Sequence, residues 1–461
     1  MISSCEDDLG NQPMGTDSMG GEDGSGMGDT TTVDTITIDT TTAMGTEQYL
    51  ALDSDYIFDQ EKLPTFELIL PPAHLEDIDS DPAAEEYTTG ALVFEGDTIN
   101  PVGIRYKGSI GAFVGCLSGN DWANPSGRKT CTKLSMKIKF NWEGREEHFY
   151  GLKKLQFHSM NNDDSQMRER LGYHLFRAMG APAPRCVHAR LIINGAYVGL
   201  FALIEQIDGR FTRYNYEDGK GNVYKEVWPN TNNGNVTPDQ VILAGLKTNE
   251  DENPSIDIIR SFGQALETAD DSNMKTILSQ YLNTEEALSY FVVDRMIRHD
   301  DGPMHWYCNG SLCTNHNFYW YEEPANRKMH LIAWDLDNAF ENIIIDANPV
   351  TPVADEWGET RNNCDPYSYG WFGLRQWSAS CDKLIGGLAS SYPDEYQALR
   401  KDFKEGPFSA TVVNSLITTW SAQIEDATAE ARLLHGDAVS LNRWDGAIED
   451  LLRQIDFSRN N

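Results

Sequence analysis

Four carboxylates and an amide carry the clearest chemistry in this 461-residue chain. Asp335 and Asp337 close an apolar run, Ile332-Ala333-Trp334. If strand geometry continues through them, side chains two apart project to one side. Upstream lie Asp300 and Asp301, in His299-Asp300-Asp301-Gly302, and Asn317, which opens Asn317-Phe318-Tyr319-Trp320-Tyr321. Paired carboxylates bind a hard divalent cation through oxygen ligands. With further carboxylates and an amide they read as the metal and base half of a phosphoryl-transfer site. A single loop Asp is more often just a solvated carboxylate. The convergence of several in one segment weighs against that.

The elements that must hold these residues follow from periodicity. Phe66 to Leu70 reads as a strand between prolines, and Tyr87 to Phe94 with Val102 to Lys107 as a hairpin looping at Gly96-Asp97. Leu134, Met136, Ile138 and Phe140 alternate with Ser135, Lys137 and Lys139, the pattern of a half-buried strand. Leu155 and Phe157 mark another, with Lys154 and Gln156 on its opposite face. Asp164-Ser165 is set to cap a helix carrying Met167, Leu171, Leu175 and Met179, stopped by Gly180 and Pro182. Asn194-Gly195 between two apolar runs is a hairpin signal.

Beyond a polar joint the pattern turns helical, over 256–266, 274–281 and a segment capped by Asn283. The region from Tyr392 onward is mostly helical, with Trp420, Ile424 and Leu433 expected on one face. Strands followed by helices make an α+β arrangement with a cleft between. This is also the order of a protein-kinase-like, two-lobed fold. A strand-rich N-lobe would span 58–207 and a helix-rich C-lobe 208–461, with the catalytic and metal segment at 294–346.

A formal net charge of −34 argues against nucleic acid as a target, since phosphate backbones need a basic face. Residues 1–50 hold ten acidic side chains and no Lys or Arg. Such a segment cannot bury enough apolar surface to offset its ordering entropy and is expected to be a disordered tether. Ile2-Ser3-Ser4-Cys5 resembles the end of a bacterial lipoprotein signal, in which the Cys carries a lipid anchor; chance gives the same four residues as readily. No stretch is long and apolar enough to span a membrane. Of eight cysteines, Cys116/Cys131, Cys308/Cys313 and Cys364/Cys381 are close pairs in loop-like contexts. Disulfides there fit a secreted or cell-surface, extracytoplasmic protein better than reduced thiols do, and without a C-x-x-C pair a zinc site is not expected. Cys186 leads into an apolar strand and reads as a buried thiol.

Seven segments stand in a telling order. They are Val102-Gly-Ile-Arg-Tyr-Lys-Gly108, Gly151-Leu-Lys-Lys-Leu155, Met167-Arg-Glu-Arg-Leu171, Gly199-Leu-Phe-Ala-Leu-Ile-Glu-Gln206, Gly221-Asn-Val-Tyr-Lys225, Asn317-Phe-Tyr-Trp-Tyr321 and Trp334-Asp-Leu-Asp337. In these the chain resembles the CotH family of spore-coat kinases, over roughly Phe58 to Asp346. The resemblance implies an atypical kinase moving the γ-phosphate of ATP to Ser/Thr hydroxyls of a protein substrate, with Mg²⁺ or Mn²⁺. It implies Asp300 as the base, with Asp301 as a substitute. It implies Asp335 and Asn317 as metal ligands, assisted by Asp337.

On the nucleotide side, kinase order selects Lys154, on the strand before the capped helix, and Glu169 inside that helix. Lys139, Lys107 and Arg105 share the polar strand faces and are alternatives for phosphate. Glu205 falls where kinases hold adenine, and the Gly108–Gly115 loop where backbone N–H groups cover phosphates. A surface Lys on a strand or a solvated strand-end Glu would look the same.

Two departures stand out. Asp300 and Asn317 are 17 positions apart, with 302–314 inserted as a loop: either a flap over the cleft or a displacement that kills the site. His299 stands where the family has a bulky aromatic, more readily packed than metal-bound. Two other classes remain beside the kinase. One is a non-catalytic surface or structural protein that kept the fold. The other is a metal-dependent hydrolase that needs neither Lys154 nor Glu169.

Overall fold

The computed structural model describes residues 54–461 except 109, 122–123, 147, 342, 344–356 and 370–373. The acidic tether over 1–50 and the lipid anchor at Cys5 lie outside the described residues. Period-2 alternation forms β1 (Thr65–Ile69), β2 (Thr88–Phe94), β3 (Asp97–Tyr106), β4 (Met136–Lys139), β5 (Lys154–His158), β6 (Cys186–Ile193) and β7 (Ala196–Ile204). They close into a barrel in the order β1-β2-β3-β4-β5-β7-β6, sealed by parallel pairing of β1 with β6. Inward residues such as Phe66, Leu92, Ile104, Ile138 and Phe157 are fully buried. Each such side chain contributes about 1.5–3 kcal/mol by leaving water. Two hairpin turns place both central residues at positive φ: Glu95-Gly96 at 50° and 93°, Asn194-Gly195 at 49° and 80°. The first lies one residue before the expected Gly96-Asp97, because Asp97 already pairs in β3.

Helix α1 (Arg168–Ala178) and the β6–β7 face share one apolar cluster, Leu171, Leu175, Cys186, Leu200 and Ala202 among its members. The cap differs from expectation. Asp163 Oδ2 accepts from Arg168 N (2.9 Å) and Ser165 Oγ from Met167 N (3.2 Å), while Asp164 turns outward to Arg443. After β8 (Val223–Lys225) come α2 (Asp257–Glu267), α3 (Met274–Tyr281) and α4 (Thr284–Met296), the last capped by Asn283 Oδ1 on Glu286 N (3.4 Å). Helix α4 buries Leu288, Tyr290, Phe291, Val292 and Val293, so it is enclosed on most sides.

The expected inserted loop at 302–314 is a β-hairpin. Strands β9 (His305–Asn309) and β10 (Leu312–Asn315) pair across Cys308–Cys313, and β9 also pairs β13 (Leu374–Ser378). Strands β11 (Phe318–Glu323) and β12 (Lys328–Ala333) form a separate sheet with β8. The last helices are α5 (Lys383–Ser391), α6 (Pro393–Glu405), α7 (Ala410–Leu434) and α8 (Leu441–Asn460). On α7, Trp420 and Ile424 are buried but Leu433 is 86% exposed, against expectation. Nine residues past Ile424 is half a turn out of phase, and Ala427, Thr428 and Ala431 hold the inner face instead. All three expected disulfides are present, and Cys186 is a buried free thiol. The architecture is α+β.

Candidate active site

Strand β12 ends at Ala333, so Asp335 and Asp337 meet across a turn rather than along a strand. Asp335 sits at φ +54°, a left-handed conformation that costs a non-glycine residue about 1–2 kcal/mol. Two side chains hold it there. The Asp335 amide donates to Tyr173 Oη (3.0 Å), and His299 Nε2 donates to the Asp335 carbonyl (3.1 Å). A carbonyl only accepts, so His299 Nε2 carries a proton, while Nδ1 lies 3.3 Å from Asp294 Oδ1. Gly302 makes room for that ring: a Cβ there would lie 2.5 Å from His299 Nδ1. His299 is thus packed and hydrogen-bonded. Asp337 is fixed through its backbone, whose carbonyl accepts from Arg168 Nη1 (3.0 Å).

Helix α1 backs directly onto this turn. A Cβ on Gly172 would lie 2.7 Å from Leu336 Cδ1, so a larger residue there would displace the Leu336 side chain. Glu169 and Tyr173, four apart and therefore on one helix face, both point at Asp335's neighbourhood. Glu169 Oε1 accepts from His158 Nδ1 (2.8 Å), at the far end of β5, and His158 Nε2 accepts from Lys107 Nζ (2.6 Å). His158, Glu169 and Asp335 offer ligand atoms within 4.8 Å of one another. Lys154 lies four strand residues from His158, ~13 Å along β5. Strand order thus pointed to β5, whose far end, at His158, is the one bonded to Glu169.

Asp300 and Asp301 face opposite ways. Asp300 is 1% exposed, between Arg295 (3.5 Å) and Arg298 (3.6 Å). Burial pushes its carboxyl up to about 6 against the pull of those two arginines. Asp301 is half-buried, and both its oxygens are held. Tyr307 Oη, from the disulfide-closed hairpin, donates to Oδ1, and Asn317 Nδ2 donates to Oδ2 (3.0 Å) and to the Asp301 carbonyl (3.1 Å). The hairpin does not separate the loop from Asn317; it brings them together. Asn317 itself sits at φ +59°, its N–H on Glu226 Oε1 (3.3 Å). Burial raises Glu226, but His316, Lys225 and the Asn317 amide outweigh it and hold it at about 2.

The acids feel one another. Burial first, then the charges of Asp335, Glu169 and Asp301, hold the Asp337 carboxyl well above its ordinary value. Burial and Asp335 do the same to Glu169, with Lys107 opposing. Burial raises Asp301, and Asp335 adds to it. Glu169 and Asp335 also bring carboxylate oxygens within 4.8 Å of each other, a crowding that a divalent cation such as Mg²⁺ or Mn²⁺ would relieve.

Beside the acids, the outer barrel face carries a cationic ladder. Cross-strand pairing aligns Arg105 with Lys137 and Lys137 with Gln156, and Lys139 with Lys154. Arg105 is ion-paired to Glu85, whose other oxygen accepts from Gly108 N (2.6 Å). Residues Ile110–Phe113 form a helical turn, so the glycine loop does not lie open as an N–H cradle. Glu205, 1% exposed, receives a bidentate pair from Arg185 (2.6 and 3.0 Å), which occupies its carboxylate. Sequence reasoning passed over Lys137, His158, Tyr173 and Tyr307. Lys137 had a visible signal, its place in the polar alternation, and Tyr173 another, its four-residue spacing from Glu169. His158 and Tyr307 had none, being set by contacts remote in sequence.

No curated protein matches the chain. The family model described as CotH kinase protein matches residues 104–458. That span runs from β3 to α8, past Asp346 where the motif resemblance stops, and takes in every acid of the cluster. With most of its length matched, the chain belongs to the CotH kinase protein family.

Proposed function

We propose that this protein is a metal-dependent kinase that transfers the γ-phosphate of ATP to a protein Ser/Thr hydroxyl. One observation carries the reading: Glu169 and Asp335 bring carboxylate oxygens within 4.8 Å of each other, next to His158 and the Lys107 ammonium bound to it, joining a pair of cation-binding acids to an ammonium suited to phosphate. Phosphoryl transfer asks of a protein chiefly positioning and charge. Asp335 and Asp337, with Glu169 and the side-chain oxygen of Asn317 as further donors, would hold a divalent ion, which would neutralise charge on the phosphate oxygens. Lys107 binds a phosphate, with Lys137 next along the ladder.

Asp301 is the base. It is partly buried, and Tyr307 and Asn317 orient its carboxylate. It takes the proton of the acceptor hydroxyl as that oxygen bonds to the γ-phosphorus and the bond to the β–γ bridging oxygen breaks, releasing ADP. Asp300 keeps the loop in shape from inside, through Arg295 and Arg298. In this reading the barrel is the N-lobe and α4 onward the core of the C-lobe. The three disulfides support an extracytoplasmic protein, secreted or surface-anchored. Among the described residues no helix is long and apolar enough to cross a membrane.

Thermal denaturation with ATP and Mg²⁺ or Mn²⁺ tests this. Binding to the native state raises the melting temperature. The expected result is a shift that needs nucleotide and metal together; no shift at millimolar nucleotide would sink the kinase reading.

A further inference from the structure

We infer that His158 is the positioning residue for Lys107, an imidazole bridge standing where a direct Lys–Glu ion pair is the usual device; the inference rests on the phosphotransfer reading above. An ammonium can only donate, so at 2.6 Å the Lys107 Nζ must give its proton to a lone pair on His158 Nε2. The ring's own proton is then on Nδ1, which donates to Glu169 Oε1 at 2.8 Å. The two hydrogen bonds fix the tautomer and leave neither nitrogen with a free lone pair. His158 is therefore not a ligand for a cation, although it lies within 4.8 Å of Glu169 and Asp335 donor atoms.

Packing fixes the ring as firmly as the hydrogen bonds do. His158 meets Trp334 edge to face, centroids 5.6 Å apart at 88°. The Lys107 ammonium lies over the same indole, 5.3 Å from its centroid. Trp334 is the residue before Asp335, so one side chain sets the distance between the ammonium and the acid turn. Because Glu169 belongs to α1, the bridge links three elements: the end of β3, the end of β5 and the helix. Lys107 is in place only when α1 is docked.

Calorimetry on the full chain tests the bridge with two probes, Mg-ATP and adenosine. A Gln at 158 offers an oxygen to Lys107 and an N–H to Glu169; a Leu of similar bulk offers neither. His158→Leu is expected to weaken Mg-ATP binding by about tenfold or more, the scale of a charge-assisted hydrogen bond, and to leave adenosine binding unchanged. His158→Gln is expected to restore Mg-ATP binding. Where His158→Leu does not fold, His158→Asn replaces it, since its shorter amide cannot reach both partners. Wild type that binds Mg-ATP beside a His158→Leu variant binding it equally overturns the bridge alone. So does a His158→Gln as weak as His158→Leu, or a parallel loss of adenosine, which marks a merely structural role. Wild type that binds no Mg-ATP overturns both the bridge and the kinase reading.

Discussion

Asn317 Nδ2 lies 3.0 Å from Asp301 Oδ2, closing a separation of 16 residues with one hydrogen bond. That contact, with the one from Tyr307, holds Asp301 apart from its neighbour Asp300, which turns to Arg295 and Arg298. Asp301→Asn is expected to lower kcat by about 10²–10⁴-fold, the range for loss of a positioned base, with Mg-ATP affinity kept. Asp300→Asn is expected to act on stability, since it removes one buried counter-charge from Arg295 and Arg298 while Asp294 still pairs Arg295 at 2.8 Å, at a cost of about 1–3 kcal/mol. Steady-state kinetics beside denaturant unfolding of both variants separates the roles. A catalytic loss at Asp300 with stability intact would reverse them.

Gly302 tests how Asp335 is held. A methyl group 2.5 Å from His299 Nδ1 must push the ring off the Asp335 carbonyl. Gly302→Ala is expected to cost about 1–3 kcal/mol of stability, as overpacking does, and to lower metal affinity as well. Mn²⁺ titration by calorimetry reads the second effect; unchanged affinity would show that His299 does not govern the turn.

The disulfides separate stability from activity. Closing the five-residue span of Cys308–Cys313 is worth about 2 kcal/mol, and the fifteen-residue span of Cys116–Cys131 about 3 kcal/mol. Only the first braces the hairpin that carries Tyr307 to Asp301. Serine pairs are expected to destabilise more at 116/131 and to lower kcat only at 308/313. Melting curves and turnover for the two double variants check this, and an equal kcat in both would disconnect the hairpin from Asp301.

Glu322 predicts a pH dependence away from the site. It is 4% exposed, with Ile259 N (3.2 Å) and Tyr224 Oη (3.1 Å) donating to it, and burial lifts it to about 7 from 4.5. A folded value above the unfolded one means stability is fully present below 4.5 and lost as pH rises through 7. The loss is about 3 kcal/mol across that window. Glu322→Gln is expected to flatten this slope in denaturant unfolding from pH 4 to 8; an unchanged slope would assign it to other groups.

Local chemistry in the sequence was enough for most elements. Asn194-Gly195, Asn283 and the alternation around Ile138 each act over a few residues, and each forms as read. Barrel closure was not legible, because β1 pairs with β6 across more than a hundred residues. Leu433 was misplaced by phase, an error that grows with distance from the anchoring residues. The acids Asp335 and Asp337 were legible as a pair, though through a turn rather than a strand. Asp300 and Asp301 were not separable, since their directions depend on Arg295, Tyr307 and Asn317. Lys107 ranked behind Lys154 because it reaches α1 only through His158, a contact remote in sequence.

Incubation with γ-labelled ATP and Mg²⁺, counting label on protein against free phosphate, tests the central claim most directly. The account predicts label on protein with wild type and none with Asp335→Asn, in which an asparagine keeps the φ +54° backbone while the charge is lost. Equal labelling by Asp335→Asn, or label released wholly as free phosphate by a hydrolase, would contradict it.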